Sequence, residues 1–112
     1  MPPRRSANVR LKAKVLAVVA RVPEGRVTTY GAIAHRLRVG PREVARVLSH
    51  LTPEESAELP WFRVVAANGV ISTMKLGQVG RRQVARLRDE GIAVTLRNKV
   101  VSIDSVFWPP TR

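Results

Sequence analysis

The residues able to do chemistry are few in this chain, and what is missing is as informative as what is present. None of the 112 residues is a cysteine and two are histidines. That excludes a thiolate nucleophile, a disulfide and a thiolate metal site, and two imidazoles do not by themselves make a zinc site of the usual kind. No metal ligand or cofactor is expected. What remains is positive charge: 20 Lys and Arg stand against 8 Asp and Glu, a formal net charge of +12. Each phosphate met by a Lys or Arg releases condensed counterions, so this balance points to a nucleic acid. A merely solvated surface is the rival reading, and mutual repulsion of the excess charges in so small a chain disfavours it. Charge alone leaves DNA and RNA open. It also leaves open a general DNA-binding regulator or nucleoid protein, and an RNA-binding or ribosome-associated basic protein.

Three stretches carry distinctive residues. Arg42, Ala45, Arg46 and Ser49 fall on one face at helical spacing. A major-groove reader usually offers amides and arginines to base edges, whereas a small Ala45 beside Arg46 suits close approach and one long cation. Pro60-Trp61-Phe62-Arg63-Val64-Val65 sets two aromatic rings beside a cation. Trp61 there is either a binding wall or a core tryptophan after a proline. Glu54, Glu55 and Glu58 form the one acidic cluster of the sequence, either a solvated loop or a partner surface.

These residues need elements to hold them. Val9, Leu11, Val15, Leu16, Val18, Val19 and Val22 recur near helical spacing after Ser6, a plausible N-cap, and Pro23-Glu24-Gly25 ends the run. Arg26-Val27-Thr28 reads as extended. Thr29 then caps a helix from Tyr30 to about Leu37, with Ile33, Ala34 and Leu37 as its buried stripe. After the turn Arg38-Val39-Gly40, Pro41 suits the first turn of a second helix whose apolar face is Val44, Val47, Leu48 and Leu51. Two short helices across such a turn read as a helix-turn-helix. Thr52 to Pro60 reads as a loop and Trp61 to Val65 as extended. Asn68-Gly69, two residues tolerant of positive φ, should close a hairpin between Val64-Val65 and Val70-Ile71. Ser72 to Gly80 has no clear period. Arg81 to Glu90 reads as a basic helix ending at Gly91, followed by β-rich runs Ile92 to Leu96 and Val100 to Ile103.

Residues 1–8 are expected to be a basic flexible arm and 9–112 one domain, α+β in class, with a helix-turn-helix, winged-helix-like core. The apolar stretch Val15 to Ala20 is far short of the roughly 20 residues that cross a bilayer. No membrane partner is expected; a soluble, cytoplasmic, nucleoid-associated monomer is.

Several segments together resemble a known family. Pro60-Trp61-Phe62-Arg63-Val64 resembles the Pro-Cys-His-Arg-Val acceptor motif of the O6-alkylguanine-DNA alkyltransferases, and more closely their cysteine-free relatives, the alkyltransferase-like proteins, which carry Trp at the Cys position. Pro23-Glu24-Gly25-Arg26-Val27-Thr28-Thr29-Tyr30-Gly31-Ala32-Ile33-Ala34 is similar to the family's Pro-x-Gly-x-Val-x-Thr-Tyr-Gly-x-Ile-Ala. Ala45-Arg46-Val47, the turn at Asn68-Gly69 and the helix end Asp89-Glu90-Gly91 agree in order, while the run from Tyr30 to Arg46 is longer than usual. The likeness spans roughly residues 9–110, and its specificity lies in the combination.

The resemblance implies the fold of the alkyltransferase C-terminal domain and a non-enzymatic function: binding O6-alkylguanine in double-stranded DNA by nucleotide flipping, marking it for nucleotide excision repair proteins and shielding it from alkyltransferases. Tyr30 would crowd the phosphate 3′ to the target, and Arg46 would enter the duplex in place of the extruded base. Thr29, Arg42, Ala45 and Ser49 would share the DNA surface. Pro60, Trp61, Phe62, Arg63, Val64, Met74 and Lys75, with Tyr30, would make the lesion pocket. Phe62 stands where the family has its general-base histidine, and Glu90 where it has the carboxylate that orients that histidine, either as a relic or as a structural residue. Met74 is a lid or filler; Lys75 faces O6, a phosphate or solvent. Alkyl transfer needs a soft thiolate acceptor that an indole cannot replace.

Overall fold

The computed structural model describes residues 4–111, and Met1–Pro3 of the expected arm lie outside them. Helix α1 spans Arg4–Arg21, so the helix starts before the cap expected at Ser6. Val15 and Val19 of α1 are fully buried and Val22 follows them into the core. Thr28–Thr29 is strand β1, and the Thr29 side chain accepts the Ala32 N–H at 3.0 Å as the N-cap of α2, Tyr30–Leu37. Helix α3 is Pro41–Ser49, opened by Pro41 and by the Glu43 carboxylate, which accepts the Gly40 N–H at 3.0 Å. The α2–α3 pair is the expected helix-turn-helix. Its left-handed residue is Arg38 (φ 60°), while Gly40 is extended (φ −83°).

Beyond α3 the chain is more irregular than its residues suggest. The expected loop holds helix α4, Pro53–Glu58, because Thr52 and Glu55 cap each other reciprocally: Glu55 N–H donates to the Thr52 hydroxyl and Thr52 N–H to the Glu55 carboxylate. Trp61–Arg63 is a single 3₁₀ turn rather than extended chain, and strand β2 is only Val64–Val65. β2 pairs in parallel with β1, Thr28 opposite Val64 and Thr29 opposite Val65. The expected hairpin does not form. Asn68 (φ 62°) and Gly69 (φ 84°) do take positive φ, but Val70 beyond them bridges Lys99. Ser72–Leu76 is another 3₁₀ turn, and helix α5, Gln78–Asp89, starts ahead of Arg81. The two tail runs meet at one antiparallel bridge, Val94 to Val100, and Ile103–Val106 is a short helix, α6, instead of a strand end.

The result is a small helix-rich α+β domain. One apolar cluster joins Val15, Val18 and Val19 of α1 to Ile33 and Ala34 of α2, Val44 of α3 and Val64 of β2. A second gathers Val27, Phe62, Val65 and Ile71 with Val84 and Leu87 of α5 and with Ile92, Val94 and Val100 of the tail. The chain end ties the two together, as Trp108 N–H donates to the Val27 carbonyl at 2.7 Å. No helix among the described residues is long and apolar enough to cross a membrane.

Candidate nucleic-acid interface

With Val44 anchoring the inner side of α3 at 0% exposure, the opposite side presents Arg42, Arg46 and Ser49 to solvent and half-buries Ala45. The Ser49 hydroxyl turns back on the helix, donating to the Arg46 carbonyl at 2.8 Å. That leaves the two arginines as the long polar groups of the face. They stand at the rim of a cavity of about 1020 Å³.

Four helices, two 3₁₀ turns and Leu51 between α3 and α4 wall this cavity. Tyr30 enters from the start of α2, Arg42, Ala45, Arg46, Leu48 and Ser49 from α3, and Pro53, Ser56 and Ala57 from α4. Trp61, the 3₁₀ residues Ser72, Thr73, Lys75 and Leu76, and Val79, Arg82, Ala85 and Arg86 of α5 complete it. The expected residues Tyr30, Arg42, Ala45, Arg46, Ser49, Trp61 and Lys75 thus share one site. Burial pushes the Tyr30 phenol above its ordinary pKa, and a hydrogen bond with the Ser72 side chain only partly counters this, so it stays neutral at physiological pH.

Six other expected residues are placed elsewhere. Thr29 is spent on capping α2, and Pro60 is half-buried as the residue leading into the 3₁₀ turn. Phe62, 2% exposed, is a core ring behind Trp61, meeting it edge-on at 6.1 Å. Val64 is in the core at 0% exposure, and Met74 packs on the second apolar cluster. Arg63 does not line the cavity at all. Its guanidinium pairs with the Glu90 carboxylate, its Nε reaching the two oxygens at 3.0 and 3.1 Å, and its Nη1 donates to the Val22 carbonyl at 2.8 Å. Glu90 also accepts the Gly25 N–H at 3.1 Å. Burial alone would raise the Glu90 pKa, but the hydrogen bonds from Arg63 and Gly25 and the charges of Arg63 and Arg86 outweigh it and hold the carboxyl below its usual range. Glu90 is therefore a structural crosslink between α5, the Trp61 turn and the end of α1.

Sequence reading missed Gln83 and Gly80, which shape the site, and Arg82 and Arg86, which line it. Gln83 is 1% exposed; its amide donates to the carbonyls of Phe62 (3.0 Å) and Val64 (2.8 Å) and accepts the Thr73 hydroxyl, fixing the Trp61 turn against the Ser72–Leu76 turn. Gly80 lets α5 approach that turn, since a Cβ there would stand 2.5 Å from the Met74 Cα. A lone glycine amid a basic helical run was the available signal for it. For Arg82 and Arg86 the signal was their four-residue spacing on α5.

Chemically, the site is a largely apolar cleft lined in part by an indole and by Arg42, Arg46, Lys75, Arg82 and Arg86, with no acidic residue among those lining it. Such a cleft accepts a flat apolar body attached to a polyanion. Comparison with known proteins agrees in character. Residues 10–92 match the model of the 6-O-methylguanine DNA methyltransferase DNA-binding domain. The chain is 32% identical over 102 residues to alkyltransferase-like protein 1 of Schizosaccharomyces pombe, covering 87% of this chain and 93% of that protein. It is 36% identical over 100 residues to the DNA base-flipping protein of Vibrio parahaemolyticus, covering 87% and 94%. The solved structure of S. pombe Atl1 in complex with damaged DNA containing O6-carboxymethylguanine matches with a TM-score of 0.77 at 30% identity, over 89% of this chain and 95% of that one.

Proposed function

The chain belongs to the family of the 6-O-methylguanine DNA methyltransferase DNA-binding domain, and from that premise we propose that it binds O6-alkylguanine in double-stranded DNA by flipping the damaged nucleotide into the Trp61 cleft, without taking up the alkyl group. The observation that carries this reading is the placement of Trp61 inside a cleft whose rim is the exposed face of α3. A recognition helix beside a cavity that a base can enter has a use in flipping and none in ordinary groove reading.

Extruding a base costs a few kcal/mol of stacking and pairing. Arg46, exposed on α3, enters the gap and partners the orphan base with its planar cation. The Tyr30 ring crowds the backbone of the turning nucleotide, and its neutral phenol is retained as a hydrogen-bond donor inside the cleft. The indole of Trp61 then offers a flat face to the extruded guanine and its substituent. Trp61 and Phe62 stand where the resemblance places the acceptor cysteine and the general base, and the sequence holds no cysteine to take an alkyl group. Binding therefore ends in a stable complex, which in this reading marks the lesion for nucleotide excision repair proteins and shields it from alkyltransferases. The protein acts as a monomer at the cytoplasmic nucleoid.

A competition titration tests it, with an O6-methylguanine duplex against its undamaged twin at near-physiological salt. The methylated duplex should bind more tightly, and Arg46→Ala should weaken that duplex more than the undamaged one. Equal affinities for the two duplexes in the wild type would leave a general DNA-binding protein. An equal loss on both substrates in the variant would make Arg46 a phosphate contact and remove the flipping finger.

A further inference from the structure

Six large apolar side chains stand exposed among the described residues, and they are not scattered. Leu76 and Val79 belong to the cleft, whereas Val70, Leu96 and Val101 fall on three runs of chain that pair with one another. Val94 faces Val100 in an antiparallel bridge, with the Thr95 N–H donating to the Lys99 carbonyl at 2.8 Å and the Val101 N–H to the Ala93 carbonyl at 2.9 Å. Val70 bridges Lys99 from the other flank. Side chains alternate across such pairings, so Val94 and Val100 enter the core while Val70, Ala93, Thr95, Lys99 and Val101 share an exposed outer face. The tip of this face is fixed, because the Thr95 hydroxyl accepts the N–H groups of Arg97 and Lys99, both at 3.2 Å, and the Thr95 carbonyl accepts the Asn98 N–H at 2.9 Å. Leu96 stands on that tip, 96% exposed. A lone exposed leucine is ordinary, but one held on a fixed turn beside two exposed valines makes an apolar patch.

Charge indicates what covers the patch. Residues 91–101 contribute the cations Arg97 and Lys99 and no carboxylate. A second copy of a chain with net charge +12 is repelled there. A duplex would suit the two cations, but its phosphates offer nothing to Val70 and Val101 on the flat of the face. An apolar centre with a charged rim is instead the anatomy of a protein contact. No residue beyond Arg86 lines the cleft, and this face meets α5 through Arg88, whose guanidinium donates to the Val94 carbonyl at 3.0 Å. Arg88 lies about 200° round the helix from Arg86, so the face stays open while the cleft is filled.

We propose that the outer face formed by Val70, Leu96, Lys99 and Val101, with Arg97 at its tip, docks an acidic amphipathic segment of another protein. The segment sets its apolar stripe on Leu96 and the two valines and its carboxylates on Arg97 and Lys99. The flanking Val94 and Val70 carbonyls are already taken, by Arg88 and by the Ala66 N–H, so the segment binds through side chains and does not extend the pairing as a further strand. This contact is independent of which DNA the cleft accepts.

A phage-displayed library of random peptides, selected on the wild type and counter-selected on Leu96→Ser, tests the assignment. The enriched peptides should combine Asp or Glu with large apolar residues. A synthetic copy, followed by fluorescence anisotropy, should bind the wild type about tenfold more tightly than it binds Leu96→Ser or Arg97→Glu, and its scrambled sequence should bind as weakly as those variants do. Both substitutions are at exposed positions, and melting curves confirm that each variant is folded. The peptide should remain bound when a duplex saturates the protein. Equal enrichment on wild type and Leu96→Ser, winning peptides without carboxylates, or displacement by the duplex overturns the proposal. So does a tenfold fall in duplex affinity in both variants, which would make the tip a DNA contact, and so does a wild-type dimer in sedimentation that Leu96→Ser abolishes, which would make the face a contact between copies.

Discussion

The cleft lies between two halves that are held together differently. On the α1–α2–α3 side, Val15, Val19, Ile33 and Val44 are all 0% exposed, and their contacts are apolar. On the α5 side the apolar cluster is supplemented by polar crosslinks: Arg63 with Glu90, Gln83 with the carbonyls of Phe62 and Val64, and Arg88 with the Val94 carbonyl. The helices of the first half need only their stripes to meet. The second half is made of short turns that cannot satisfy their own backbone groups, so side chains must do so. The half that carries the helix-turn-helix is thus regular, and the half that completes the cleft depends on charge and hydrogen bonding.

Substitutions in the two halves should separate these modes. The largest effect is expected from Ile33→Ala, at about 2–4 kcal/mol, because the residue is fully buried and leaves a cavity among packed valines. Arg63→Met should cost somewhat less, about 2–3 kcal/mol, since it strands the Glu90 carboxylate in a setting where the paired side chains retain 15% and 11% exposure. Denaturant unfolding measures both. Native-state hydrogen exchange distinguishes them: Arg63→Met should speed exchange of the Gly25 amide, which Glu90 accepts, more than its change in global stability explains. If Gly25 exchange follows global stability alone in both variants, the crosslink does not hold the two halves at that point.

Acid should sharpen the contrast. A carboxylate whose folded pKa is depressed contributes stability that is present above its unfolded pKa and is lost as pH falls through the folded value. Glu90 is such a group, and so is Glu55, held low by the Thr52 N–H and by Lys12. Taking the wild type from about pH 6 to about pH 3 should therefore lower its melting temperature. Glu90→Gln should melt lower at the upper end of that range and fall less steeply toward the lower end, with Glu55 supplying the remaining slope. Ile33→Ala should start lower and keep the full slope. Parallel curves for the wild type and Glu90→Gln would show that this carboxylate is not stabilised by folding.

The same contrast decided what could be read from the residues. The helix-turn-helix was legible because Ile33, Ala34 and Val44 obey helical spacing and Thr29 and Pro41 announce the starts. Tyr30, Arg46 and Trp61 were legible as a set through the family likeness and do share one cleft. The far wall was not. Phe62 and Arg63 adjoin Trp61 in sequence, but a 3₁₀ turn sends one ring into the core and the guanidinium toward Glu90. Gln83 looks like one more polar residue of a basic helix, and nothing local reveals that two carbonyls far away in sequence need its amide. The Asn68-Gly69 turn was correctly assigned positive φ, yet its flanks pair with Thr28–Thr29 and Lys99, partners that only tertiary structure supplies. At Thr52-x-x-Glu55 the capping signal was present and was overridden by the cluster of acidic residues around it.

The smallest expected change is a gain, and it lies in the regular half. Arg38 ends α2 in the left-handed conformation, φ 60° and ψ 44°, where a side chain crowds the following carbonyl. Glycine relieves that crowding but loses more backbone entropy on folding, so Arg38→Gly should stabilise the domain by only about 0.5–1 kcal/mol. A rise in melting temperature checks it, and a fall would mean that the Arg38 side chain makes up for its backbone. The retained arginine has a second reading, because it sits exposed in the turn that leads into α3. If its charge meets a phosphate, the glycine variant should bind duplex DNA more weakly and its log affinity should fall less steeply with log salt, by about 0.9 in slope. A stabilised variant with an unaltered salt slope would remove Arg38 from the DNA face and confine that face to α3 and the rim of the cleft.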